Sequence, residues 1–140
     1  MSVAVGDDRI LFYEGSQVPS LHTTQLLDDE VQGIYQNGEY IGILFRSDMI
    51  EMRNKLDIYR SDAHKMGTYY FNTSFYDVIF TKDYFMAYGN MECVIKTYDQ
   101  IEKFSGNFDR TADLVMPIGK GKGYKFAVVS DGTLRTIQLK

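Results

Sequence analysis

Turn signals recur along this chain at short intervals, and that spacing leaves room for little except short strands over most of its length. The clearest case is Val31–Arg46, which reads VQGIYQNGEYIGILFR. Asn37-Gly38 sits between two apolar arms, and both residues tolerate the positive φ that a type I′ hairpin turn requires. A two-residue turn there sets Gln36 against Glu39, Tyr35 against Tyr40, Ile34 against Ile41 and Gly33 against Gly42. The glycine pair would leave a notch in the sheet surface. An earlier strand is expected at Arg9–Glu14, before a loop through Gly15, Ser16 and Pro19. Lys82-Asp83 and Gly89-Asn90 divide the aromatic stretch 68–98 into a meander. Asp131-Gly132 joins the last two of three further strands, Leu114–Ile118, Tyr124–Ser130 and Thr133–Leu139.

Two segments read as helix. Ser47 is placed to cap a first turn, with Asp48 near the positive end of the dipole. Met49, Met52, Leu56, Tyr59, Ala63 and Met66 follow at steps of three and four, which puts them on one stripe. Gly67 would end that helix. Burying its large apolar side chains at about 1.5–3 kcal/mol each favours packing on the chain's own sheet. Asp99 and Glu102 stand at capping-box spacing before a short helix over 99–105, ended by Gly106. The expected fold is therefore α+β. It is a single domain over 1–140, with a curved, mostly antiparallel sheet of eight or nine strands, a long helix over 48–66 packed on it, and the short helix at one edge.

A chain of 140 residues and 16.1 kDa is large enough for one comfortable core. Its 44% hydrophobic and 24% charged content excludes a disordered chain. No apolar run approaches the ~20 residues of a membrane-spanning helix. Residues 1–8 lack a basic start and an apolar core, so no signal peptide is expected and the expected compartment is the cytoplasm. The single cysteine, Cys93, excludes an internal disulfide and a multi-cysteine zinc site. Abundant Tyr, Phe, Met, Asp and Ile, with two Pro and no Trp, is the composition expected of a low-GC bacterial or phage protein.

Net charge is −4, which disfavours nonspecific nucleic-acid binding because that requires clustered cations. The charge is also polarised. Residues 1–30 carry Asp7, Asp8, Glu14, Asp28, Asp29 and Glu30 against Arg9 alone, whereas residues 111–140 carry five Lys or Arg against Asp113 and Asp131. Such polarity suits head-to-tail self-association.

Two features suggest binding. Gly119, Lys120, Gly121, Lys122, Gly123, Tyr124 and Lys125 combine free backbone N–H groups with positive charge, as in an anion-binding nest. The pattern matches neither a P-loop nor a dinucleotide fingerprint. The second feature is the crowd of rings between 69 and 88. Strand geometry sends alternate side chains to opposite faces, so Tyr69, Tyr70, Phe75, Tyr76, Tyr84 and Tyr88 cannot all enter one core. An outward row would anchor a protein partner or stack on bases.

Catalysis finds little support. His64 falls beside the helix stripe, and His22 precedes Asp28, Asp29 and Glu30 without a second imidazole at metal-ligand spacing. Cys93 falls within a strand and reads as a small buried residue. No cofactor or metal is implied. The reading is a soluble, non-enzymatic interaction protein that presents an aromatic sheet face to a protein partner or to further copies of itself. The alternatives are a nucleotide or small-ligand binder using the loop 119–125, and a binder of single-stranded nucleic acid.

Overall fold

The computed structural model describes residues 2–118 and 124–139. Among them there is no helix. Fourteen strands run in chain order: β1 (Ser2–Val5), β2 (Arg9–Glu14), β3 (Ser20–Leu26), β4 (Val31–Gln36), β5 (Tyr40–Arg46), β6 (Asn54–Arg60), β7 (Lys65–Phe71), β8 (Asp77–Phe80), β9 (Tyr84–Tyr88), β10 (Glu92–Thr97), β11 (Glu102–Asn107), β12 (Leu114–Pro117), β13 (Tyr124–Ser130) and β14 (Thr133–Leu139). They form four antiparallel sheets, β1–β3, β4–β7, β8–β11 and β12–β14, and in each the strands lie side by side in chain order. The expected α+β class is thus corrected to all-β.

The long helix fails for a local reason. Residues 54–60 form β6, and both faces of that strand are buried. Leu56 and Ile58 lie on one face, Asp57 and Tyr59 on the other. With both faces covered, the polar/apolar alternation that marks a half-exposed strand is missing. The 3–4 spacing of Leu56, Tyr59 and Ala63 is coincidental. Ser47 Oγ does accept the Met49 N–H at 3.1 Å, but in a turn, with Met52 N–H donating to Met49 C=O at 3.3 Å. Residues 61–64 make the turn into β7, where Ala63 takes φ 71°. The short helix over 99–105 is likewise absent. Tyr98–Gln100 turns β10 into β11, with Gln100 at φ 70° and the Thr97 hydroxyl bonded to the Asp99 carboxylate.

The Val31–Arg46 hairpin forms, but two residues out of the expected register. Gln36 pairs with Ile41, Tyr35 with Gly42, and Ile34 with Ile43. Gly38 alone takes positive φ in this turn, at 92°, so the tight turn is Gly38-Glu39. The Asn37 side chain accepts from the Glu39 and Tyr40 N–H groups at 3.2 and 3.0 Å and holds it. Gly33 pairs with Leu44 across a bulge, so no glycine notch exists. The turns at Lys82-Asp83 and Asp131-Gly132 form where expected, the latter with φ 49° and 75°.

The chain divides into two compact units, Met1–Asn72 and Thr73–Lys140. In the first, Ile10 and Phe12 of β2 pack against Ile41, Ile43 and Phe45 of β5 and Tyr59 of β6. In the second, Met86, Tyr88, Cys93 and Ile95 of β9 and β10 pack against Val115, Phe126 and Val128 of β12 and β13. Gly89 in the second unit is required by space, because an added Cβ would stand 2.6 Å from the Ser74 carbonyl oxygen.

Candidate functional site

The six aromatic residues singled out above divide between the units, Tyr69 and Tyr70 in the first and the other four in the second. Tyr69 and Tyr88 are buried, and Tyr70, Phe75 and Tyr84 are half-buried. Tyr84 meets Tyr124 edge-on at 5.0 Å and Phe126 at 6.5 Å. Burial pushes the Tyr88 hydroxyl up to about 12. Tyr76 alone of the six is exposed, at 47%, and its hydroxyl is engaged by the Ala112 and Asp113 carbonyls. The reason is visible in the pairing: both faces of β8–β10 carry buried side chains, Val78, Phe85 and Val94 on one and Met86, Cys93 and Ile95 on the other.

Within the glycine–lysine segment, residues 119–123 lie outside the described residues. Tyr124 and Lys125 begin β13, with Tyr124 packed on Tyr84 and Lys125 exposed opposite Gln138. His22 lies on β3, its Nδ1 3.6 Å from Glu14 Oε2. Among the described residues no group of three His, Cys, Asp or Glu stands close enough to hold a metal ion. Cys93 is fully buried, and that burial pushes its thiol up to about 12.

Sequence reasoning passed over the outer edge of the first sheet. Each described sheet has two edges; β1, β4 and β12 are short edges without charge, and the meanders end in β3, β7, β11 and β14. β7 carries Lys65, β11 carries Glu102 and Lys103, and β14 carries Arg135. Charges of this kind discourage the pairing of edges with other chains. β3, Ser20-Leu-His-Thr-Thr-Gln-Leu26, has none, and no Gly or Pro within it. All seven of its residues are exposed, Leu21 at 56% and Leu26 at 63%, and Val18 just before it is 84% exposed. A register shift bulges β3 at His22, leaving Thr23–Leu26 regularly paired to β2 on one side only. The signal in the sequence was a neutral run of seven residues with two adjacent threonines, set among acidic neighbours.

The first unit also holds an ionic cluster on the face of β6 that packs toward β2. Asp57, 6% exposed, accepts from Lys65 Nζ at 3.0 Å and from Thr68 Oγ1 at 2.6 Å. Lys55 donates to Asp29 at 2.9 Å, and this bond raises its ammonium above the usual lysine range. Lys55 also lies over the Phe45 ring and Lys65 over the Tyr59 ring. Burial, with Asp57 nearby, pushes the Tyr59 hydroxyl up to about 12. The cavity these groups enclose measures about 110 Å³. Each lysine in it already has a carboxylate, so the cluster is built to close the rim of the core.

Residues 1–139 match the family described as "Family of unknown function (DUF5711)", and the chain belongs to it. No curated protein and no solved structure matches the chain.

Proposed function

We propose that this member of the family is a non-enzymatic interaction protein that docks another protein strand along β3, the partner being a second copy of this chain. One observation carries the reading: β3 is a seven-residue edge free of charge, and among the described edge strands it is the one exposed at every residue. Strand addition of this kind draws affinity from main-chain hydrogen bonds and specificity from alternate side chains. The segment is also complementary to itself. Antiparallel pairing centred on Thr23 and Thr24 sets Thr23 against Thr24 within the regular stretch, and brings the bulged His22 opposite Gln25. Threonine cross-strand pairs each contribute roughly 0.2–1 kcal/mol, and no like charges meet. A contact confined to one strand pair is small beside the ~1,200–2,000 Å² of stable interfaces, so the dimer is weak and concentration-dependent. Of the aromatic residues considered first, Tyr76 is the one available to a partner surface.

Light scattering over a concentration series tests this. The mass should rise above 16.1 kDa toward twice that value, and Thr24→Pro or the pair Leu21→Lys/Leu26→Lys should return it to the monomer. A photo-crosslinking residue at position 24 should give an adduct of twice the chain mass. A monomer at every concentration with no adduct sinks the reading. Adducts only with other proteins would remove the second copy as the partner but leave strand docking in place.

A further inference from the structure

We infer that the first unit carries a binding site for a phosphate monoester or free phosphate, formed by Arg46 and Arg53 at the ends of β5 and β6. The inference does not depend on strand docking at β3, which involves other residues.

The two arginines differ from others in the chain. Arg9, Arg60 and Arg135 are each paired with an aspartate, Asp8, Asp62 and Asp109. Arg46 and Arg53 have no ion pair and no side-chain hydrogen bond among the described residues. Both line a cavity of about 420 Å³, together with Gln32, Leu44, Ser47 and Asn54. That volume lies within the range of small-ligand sites.

The backbone holds the pair in place. Arg46 is registered opposite Asn54 at the end of the β5–β6 ladder. One step further, Ser47 N–H donates to Arg53 C=O at 3.4 Å. Arg53 N–H in turn donates to Asn72 Oδ1 at 2.7 Å, which ties it to the end of β7. The backbone thus fixes the two residues at adjacent strand ends, and their exposed side chains line the cavity beside hydroxyl and amide side chains. Asp48 and Glu51 are exposed on the same loop but are not among the residues lining the cavity.

The chemistry selects the ligand. A guanidinium presents a planar fork of N–H donors that matches the oxygens of phosphate or carboxylate. Two such forks carry a charge of two, which a phosphate dianion balances and a single carboxylate leaves half unmet. Leu44 supplies a short apolar wall on which the organic part of a monoester can rest.

The test is titration of the isotope-labelled chain with inorganic phosphate and with phenyl phosphate, read as amide shifts. Saturable shifts are expected at Gln32, Ser47, Arg53 and Asn54, with affinity at least tenfold lower in Arg46→Gln and in Arg53→Gln. Arg46→Lys, which keeps the charge and loses the fork, should recover only part of it. Unchanged spectra elsewhere and an unchanged melting temperature verify that each variant is folded. Tighter binding of phenyl phosphate assigns an organic monoester, and equal binding assigns free phosphate. The inference is overturned by shifts that never saturate, by equal shifts with chloride at matched ionic strength, by affinity unaffected in both glutamine variants, or by shifts confined to Lys120 and Lys122.

Discussion

The two units solve one packing problem with different rims. In each, a three-stranded meander packs on a four-stranded one through aliphatic and aromatic side chains. The first unit closes the rim of that core with ions: Asp57 with Lys65, and Lys55 with Asp29. The second closes it mainly with neutral groups, beside the single described ion pair of Arg135 with Asp109. The Tyr76 hydroxyl reaches the Ala112 and Asp113 carbonyls, the Ser130 hydroxyl reaches the Thr111 carbonyl, and Tyr84 stacks edge-on against Tyr124. Similar cores therefore face solvent through chemistry of different salt and pH sensitivity.

The largest expected effect tests whether the cores are equivalent. Phe12→Ala in the first unit and Phe126→Ala in the second each remove a fully buried ring, at a cost of about 3–5 kcal/mol. Amide hydrogen exchange should show protection lost mainly in the mutated unit. Equal loss across both units in either variant would break the division into two.

A smaller effect tests the rims. Asp57→Ala removes the acceptor of Thr68 and Lys65. The loss should be about 1–3 kcal/mol, since the half-exposed Lys65 can turn to water. It should shrink in high salt. Truncating the neutral rim with Ser130→Ala should show no such salt dependence in denaturant titrations.

The smallest effect is alkaline. Folded Cys93, Tyr88 and Tyr59 hold their protons to about 12, against ordinary values of 9.0, 10.0 and 10.0. An acid whose folded value is raised makes the unfolded chain lose its proton first, so stability falls as pH rises between the two values. Lys55, also raised, contributes stability that is complete below its ordinary 10.5 and is lost as pH climbs through its folded value. The second unit should thus weaken from about pH 9 through Cys93, and the first only from about pH 10. Cys93→Ala should erase that lead in hydrogen-exchange or fluorescence measurements. An unchanged pH profile would contradict the assignment to Cys93.

Where a strand had one clear partner across a tight turn, its position was readable from the sequence. β2, β13 and β14 fall where expected, as do the turns at Lys82-Asp83 and Asp131-Gly132, because local turn chemistry decides them. β6 was not readable. Its two faces are both buried, so Lys55, Asp57 and Tyr59 alternate with Leu56 and Ile58 without the contrast a half-solvated strand displays. The partners of Lys55 and Asp57, namely Asp29, Lys65 and Thr68, are brought up only by the fold. The rings at 69–88 failed as a guide to a surface for a related reason. Excess ring area on one sheet face implies exposure only when the other face is open, and Val78, Phe85 and Val94 show that here it is not. The two arginines were invisible as a pair because seven positions separate them until the β5–β6 hairpin brings them together.

Every strand in the four sheets bonds only to strands that precede or follow it directly in the chain. Contacts so close in sequence favour fast formation, since little loop entropy must be lost before pairing begins. A meander emerging from the ribosome can therefore complete its ladder before the next is made. Its backbone donors and acceptors need not wait, unpaired, for a distant segment still to be synthesised.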